Sequence, residues 1–115
     1  MNIYTAQYRY AGIDRLDITV KGNPEHLLSP TWEIVRGLQE NKITQWDYTI
    51  KYFSLLIKRL TITGGKWQFS LLKFLPLQEI TLVCFCPPHT FCHRVLAARM
   101  LEELGFGKYL GERPI

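Results

Sequence analysis

The amino-acid sequence predicts a single three-layer α/β domain with a mostly parallel sheet flanked by helices. The chain has 115 residues, the length of one ordinary domain, so residues 1–115 are expected to form one unit. Segments with strand patterns alternate with segments with helical patterns, which is typical of α/β proteins. Residues 80–86 form an unbroken apolar run, as expected of a strand covered on both faces of a parallel sheet.

The first part of the chain carries two strand patterns followed by a helix. Residues 3–7 are rich in β-forming side chains. Residues 16–20 alternate between apolar and polar side chains, which predicts a strand with one solvent-facing side. The turn-forming residues 22–24 end this strand. A helix is predicted from Pro30 to about Gln39.

The clearest helical pattern spans residues 44–60. Thr44 can cap the helix start, and Asp47 follows three positions later, which is close to a capping box. Apolar side chains then recur at spacings of three and four and make one stripe, of the kind that faces a core. The stripe consists of Trp46, Ile50, Phe53, Ile57 and Leu60. A further helix is predicted over 67–75.

The last third of the sequence predicts the central strand and a final helix. The strand over 80–86 ends at two prolines. Thr90 can then cap a helix from Phe91 to about Leu104, which glycines close. A short last strand is predicted at 109–110. The order of the strands in the sheet does not follow from these patterns.

The composition limits the class of partner and the cellular setting. Fourteen basic against ten acidic residues give a net charge of +4, which favours an anionic partner without singling out nucleic acid. Three cysteines is an odd number, and they lie close together at 84, 86 and 92, unlike a disulfide scaffold. A reduced, cytoplasmic setting is therefore favoured. No signal peptide and no membrane-spanning segment are predicted.

The candidate site lies where the central strand gives way to the last helix. Ligands of open α/β sheets bind beyond the carboxyl ends of the strands. The central strand ends at Cys86, and the next helix opens with Cys92, His93 and Arg94. Free N–H groups and the dipole at a helix start favour an anion. Arg94 would add a forked donor suited to phosphate or carboxylate, and the helical projection places His93 on the core-facing side.

Ordinary structural roles stay open for the same residues. Cys84 and Cys86 fit as small apolar strand residues, His93 as a core histidine and Arg94 as the partner of a surface acid. Three sharper motifs are not met. The arginine of a cysteine-phosphatase loop and the paired motif of a zinc deaminase are missing, and a structural zinc site lacks a second ligand pair. No metal and no cofactor are predicted.

The residues around the site resemble a known family. The strand 81–86, the Cys92-His93-Arg94 cluster and the following Leu96-Ala97 are similar to the hallmark of the domain-of-unknown-function family 488. Residues 3–5 with Tyr8 resemble the first strand of this family, and the pieces at 16–21, 30–32 and 111–113 resemble a compact subgroup from bacteria and their phages. The resemblance implies a Rossmann-like α/β fold and fixes no activity. For a phage protein it would imply a sponge that sequesters a host signalling nucleotide as an anti-defence device, in the host cytoplasm.

The function expected on these grounds is the binding of a small phosphate-bearing, nucleotide-like molecule. A nucleic-acid partner is disfavoured because the charge is modest and the donors converge on one helix end. Whether the chain forms a homo-oligomer is left open. The candidate ligand-binding residues are Gln7, Tyr8, Arg9, Asp17, Thr19, Trp32, Cys86, Cys92, His93 and Arg94.

The alternative is a hydrolase or transferase that acts on a small phosphate-bearing substrate. Cys92 would be its nucleophile, and His89 or His93 its base. Neighbouring side chains on a helix diverge by about 100°, so a hydrogen bond between Cys92 and His93 is not expected. His89, in the preceding loop, is therefore the preferred base.

Overall fold

The computed structural model describes residues 1–64, 66–87 and 90–114 of the chain. The elements in chain order are β1 (Asn2–Gln7), β2 (Arg15–Asp17), α1 (Trp32–Gln39), α2 (Gln45–Thr63), a 3₁₀ segment (Lys66–Leu77), β3 (Glu79–Cys84), α3 (His93–Glu103) and β4 (Lys108–Glu112). Among the described residues, there is no helix with the length and apolarity needed to cross a bilayer.

The strands form one four-stranded sheet in the order β2-β3-β1-β4, and every pairing is parallel. β3 lies inside the sheet between β1 and β2, with Ile3 opposite Ile80 and Leu16 opposite Leu82. These four side chains belong to the core that the helices cover. The predicted α/β class with a parallel sheet flanked by helices is therefore confirmed, as is the internal position of the apolar strand. The predicted end of this strand at Cys86 is wrong, because β3 ends at Cys84 and Phe85 is 53% exposed.

Helices α1 and α2 begin where a side chain accepts hydrogen bonds from the free N–H groups of the first turn. Thr31 caps α1, and its hydroxyl accepts from the amide of Ile34. Thr44 and Asp47 form the expected capping box of α2, with reciprocal bonds of 3.1 and 3.0 Å. α2 ends at Gly64, whose φ of 58° is in the left-handed region that favours glycine.

The side of α2 that faces the core differs from the prediction. The buried residues are Tyr48, Tyr52 and Leu56, whereas Trp46 is 71% exposed and Ile57 is 56% exposed. The prediction that the stripe through Trp46 faces the core is therefore wrong. α2 has apolar side chains on two faces, and the tyrosine face is suited to burial because the Tyr52 hydroxyl donates to the Leu28 carbonyl at 2.6 Å.

A polar network joins the turn before β2 to the internal strand and to the end of the chain. Asp14 is buried and accepts hydrogen bonds from Thr81 and from Tyr10, the latter at 2.6 Å. The Arg113 guanidinium lies 3.6 Å from the centre of the Tyr4 ring and 3.5 Å from the Asp14 carboxylate. Burial tends to raise the pKa of Asp14, but these hydrogen bonds and the Arg113 charge hold it below its usual value.

Candidate functional site

A cavity of about 280 Å³ lies at the carboxyl edge of the sheet, where β2 and β3 end and α3 begins. This is the position at which open α/β sheets bind ligands. Its lining is mostly apolar, with a few polar side chains. The lining residues are Thr19, Val20, Lys21, Pro30, Trp32, Val35, Leu38, Gln39, Tyr48, Phe85, Cys86, Phe91, Cys92 and His93.

Aromatic rings form much of the cavity wall. The Phe85 ring stacks on the Tyr8 ring, with centroids 4.0 Å apart and an angle of 22° between the planes. Phe85 itself is 53% exposed and lines the cavity, so Tyr8 supports it from behind. Tyr48 and Phe91 meet edge to face at 5.5 Å, and Trp32 lies at the α1 end of the cavity. Flat rings of this kind offer stacking surfaces to a planar ligand.

The polar groups of the cavity are few, and some are engaged by the protein. The Thr19 hydroxyl donates to Asp17 at 2.7 Å and accepts from the amide of Gly22 at 2.8 Å. Lys21 is exposed, and its ammonium group lies 5.8 Å from the centre of the Phe85 ring. Lys21 is thus a cation that lines the cavity beside an aromatic wall.

Cys92 and His93 contact each other at the start of α3. The predicted helix start at Phe91 with Thr90 as its cap is wrong, because α3 begins at His93 and Cys92 is its N-cap. The Cys92 backbone is extended (φ −159°, ψ 149°), so the angular spacing of helical residues does not apply to it. Its sulfur lies 3.8 Å from Nδ1 of His93, and the expected divergence of the two side chains is wrong. Nε2 of His93 is 2.8 Å from the Ile18 carbonyl. A carbonyl only accepts, so Nε2 carries the proton and Nδ1 of the neutral ring presents a lone pair to Cys92.

His93 is neutral at physiological pH because it is buried. Burial lowers its pKa to about 4, and only 7% of the residue is exposed. The edge of its ring also contacts Tyr52, with the centroids 5.8 Å apart. His93 therefore links the α3 start to the segment after β2 and to the inner face of α2.

Arg94 is directed into the protein, where its guanidinium is surrounded by acceptors. Nε and Nη2 bind the Glu112 carboxylate of β4 at 3.2 and 2.7 Å. Nη1 donates to the Cys84 sulfur at 3.0 Å and to the Cys86 carbonyl at 2.9 Å, and Nη2 reaches the Pro87 carbonyl at 3.2 Å. These contacts engage all five N–H donors of a guanidinium. The structure therefore favours a positioning role for Arg94 over the direct anion contact that the sequence suggested.

The three cysteines differ in state and position. The sulfurs of Cys84 and Cys92 are in contact, but their Cα atoms lie 7.9 Å apart, which is farther than a disulfide spans, so the reduced setting that the sequence favoured stays a prediction. Cys86 is a half-buried free thiol that lines the cavity, and burial raises its pKa. The ligand atoms of Cys84, Cys92 and His93 lie within 4.8 Å of one another, a spacing that a metal ion could use. The Arg94 guanidinium donates to the Cys84 sulfur at 3.0 Å, so one of these three ligands already has a positively charged partner.

The structure brings half of the sequence-predicted ligand residues together at the cavity. The predicted residues that line it are Thr19, Trp32, Cys86, Cys92 and His93. Tyr8 and Asp17 lie behind the wall, where the Tyr8 hydroxyl donates to Asp17 at 3.1 Å. Gln7, at the end of β1, and the exposed Arg9 are not among the lining residues, and neither is Arg94. His89 lies outside the described residues.

Sequence reasoning missed several lining residues, of which Lys21, Phe85 and Tyr48 matter most. Lys21 follows the strand pattern at 16–20, and Phe85 precedes Cys86, so the rule on strand ends could have found both. Tyr48 comes from the middle of α2 and reaches the cavity through tertiary packing. No motif or spacing in the sequence around Tyr48 indicates that it lines a cavity.

The fold and the site together define a parallel-sheet α/β domain with a cavity at the carboxyl edge and a Cys-His-Arg segment that opens the following helix. The chain belongs to the DUF488 family. The family model that matches it is DUF488-N3a, described as the active DUF488-N3 subclade, and the match covers residues 1–105. No curated protein and no solved structure matches the chain at a significant level.

The buried neutral state of His93 predicts how stability depends on pH. The pKa of His93 is about 4 in the fold and 6.5 when unperturbed, so the unfolded chain takes up a proton first as the pH falls. The stability that this histidine contributes is complete above pH 6.5 and is lost as the pH falls towards 4, by up to about 1.4 kcal/mol per pH unit.

Urea unfolding of the wild type and of His93→Gln between pH 4 and pH 7 measures this contribution. Glutamine retains an N–H donor for the Ile18 carbonyl but does not titrate. The free-energy difference between the two proteins should shrink as the pH falls. A difference that is constant over this range would contradict a neutral, buried His93.

Proposed function

We propose that the cavity binds a small molecule with a planar heteroaromatic ring and a negatively charged group, such as a nucleotide. The observation that carries the proposal is an aromatic-walled cavity at the carboxyl edge of a parallel sheet, lined also by a lysine and by the start of a helix. Ligand sites in proteins are commonly apolar concavities with a few placed polar groups.

The aromatic wall supports the ring part of this ligand. The exposed face of Phe85 is held in place by its stack on Tyr8, so a ring placed on it would extend the stack. Trp32, which is 43% exposed, lines the same cavity. Because these side chains are already held in place, a stacked ligand would order few further side chains, and this limits the entropic cost of binding.

Two features support the charged part of the ligand. Lys21 supplies an ammonium group next to the Phe85 ring. The first turn of α3 has no side-chain cap at Cys92, which leaves backbone N–H groups at the positive end of the helix dipole. Both features belong to one concave site rather than to an extended basic stripe. This favours a small anion over DNA or RNA.

Calorimetric titration with adenosine, adenosine 5′-monophosphate and inorganic phosphate tests the proposal. We expect the nucleotide to bind more tightly than either part alone. Lys21→Ala should weaken nucleotide binding by about ten- to a hundredfold, because it removes a charge-assisted contact, and should leave adenosine binding nearly unchanged. Guanosine, cytidine and uridine 5′-monophosphates extend the series to other rings.

Lys51→Ala is the matched control, since it removes an exposed lysine of α2 that does not line the cavity. Absence of saturable binding by all four nucleotides would contradict the proposal. Tight, strongly salt-dependent binding of duplex or single-stranded nucleic acid would instead support the rival partner class.

A second candidate function is a cysteine-dependent reaction on such a ligand. Its support is the lone pair of His93 Nδ1, which faces the Cys92 sulfur at 3.8 Å, as a base faces a nucleophile. The pKa of about 4 makes this imidazole a weak proton acceptor. The family model that matches the chain describes an active subclade of the family. The chemistry requires Cys92 as a free thiolate, because only the thiolate is a nucleophile.

Alkylation of the reduced protein by iodoacetamide at neutral pH separates the two candidates. An activated Cys92 would react faster than Cys86, and His93→Gln would remove the difference. A Cys92 that reacts no faster than an ordinary thiol argues for binding alone. In that case a nucleotide should be recovered unchanged from the protein, as expected of a sequestering protein acting in the cytoplasm.

A further inference from the structure

The outward face of α2 carries an apolar stripe that the described part of the protein leaves largely exposed. Trp46, Ile50 and Ile57 are 71%, 48% and 56% exposed, and Phe53 and Leu60 on the same line are half-buried. The spacing along this line alternates strictly between four and three residues. Such a pattern is the seam of a two-helix coiled coil.

We propose that α2 packs antiparallel against α2 of a second copy of this chain, with the two-fold axis close to Phe53. A two-fold interface uses the same patch on both subunits, so the patch must be complementary to itself. The α2 face meets this condition in both its apolar side chains and its charges.

The apolar residues are placed symmetrically about Phe53. Trp46 lies seven residues before it and Leu60 seven after, so in an antiparallel pair each would lie opposite the other. Ile50 lies three residues before Phe53 and Ile57 lies four residues after it. In the antiparallel pair, Ile50 and the partner's Ile57 would therefore be offset along the helix axis by one residue, or about 1.5 Å. One register therefore pairs every member of the stripe with an apolar partner.

The charges beside the stripe fit the same register. At about 100° per residue, Asp47 and Lys58 lie on the same flank of the stripe, and both are exposed. Asp47 is six residues before Phe53 and Lys58 five after, so the antiparallel arrangement brings each Asp47 to the partner's Lys58. In a parallel pair, the flank of one helix that carries Asp47 and Lys58 would lie against the other flank of the partner helix. That other flank carries the uncharged Gln45 and Thr49, so no such ion pair would form.

The dimer leaves the cavity free. Tyr48, the α2 residue that lines the cavity, is on the buried side of the helix, more than 150° around the axis from Trp46. The inference therefore does not depend on the proposed function, and either can fail without the other.

Sedimentation equilibrium of the full chain tests the proposal. We expect a monomer–dimer equilibrium that Ile50→Glu/Ile57→Glu shifts to the monomer, with the dimer Kd raised more than a hundredfold. Ile62→Glu is the matched control, because Ile62 is 74% exposed on the same helix but points away from the stripe. This control should dimerise like the wild type, and circular dichroism verifies that each variant is folded.

Charge variants test the register. Lys58→Glu places a carboxylate opposite Asp47 twice in the dimer and should raise its Kd by about five- to thirtyfold. Lys108→Glu changes the net charge equally at an exposed position of β4, which does not pack on α2, and it should leave the Kd within about twofold. Ser54→Cys, one residue from the axis, should form a disulfide-linked dimer on mild oxidation more readily than the wild type.

A monomeric wild type at several hundred micromolar would overturn the proposal. So would a dimer that survives Ile50→Glu/Ile57→Glu, since it would use another surface. Equal effects of Lys58→Glu and Lys108→Glu, or no cross-linking through Ser54→Cys, would overturn the antiparallel register.

Discussion

The buried ion pair between Arg94 and Glu112 is the interaction on which the carboxyl edge of the sheet depends. Arg94 is 1% exposed, and removing a charge from water without acceptors costs several kcal/mol. The protein meets this requirement with the Glu112 carboxylate, the Cys84 sulfur and the carbonyls of Cys86 and Pro87. One side chain thereby ties the start of α3 to β4 and to the turn after β3. Phe85 and Cys86 of that turn line the cavity, whereas Arg94 does not. The Arg94 guanidinium therefore holds the cavity wall in place without entering the space for a ligand.

Local patterns in the sequence predicted much of the fold because their physical causes are local. The capping box of Thr44 and Asp47 lies within four consecutive residues, and it forms as expected. The apolar side chains of β3 point to the two faces of the sheet, where packing keeps them out of water, while β1 and β2 pair with its backbone on either side. The position of the cavity at the strand ends follows from the same parallel topology.

The remaining features depend on tertiary contacts that no local pattern contains. Periodicity shows that α2 is amphipathic, but α2 has two apolar faces, and the choice of Tyr48 and Tyr52 for the core follows from partners such as the Leu28 carbonyl. Arg94 has the chemistry of an anion donor, and only the fold shows that a residue 18 positions later supplies its carboxylate. Cys92 meets His93 because the N-cap backbone is extended, a distinction of one residue at a helix boundary.

Arg94 is an internal positioning residue, and the protein accepts from every one of its N–H donors. Nitrogen-15 NMR of the arginine Nε–H groups measures whether this is so, with Arg94→Lys used to assign the signal. The Nε–H of Arg94 should exchange with water much more slowly than that of the exposed Arg9, and its signal should stay in place when a nucleotide is added. Exchange as fast as that of Arg9, or a large shift of the Arg94 signal on nucleotide addition, would contradict the account.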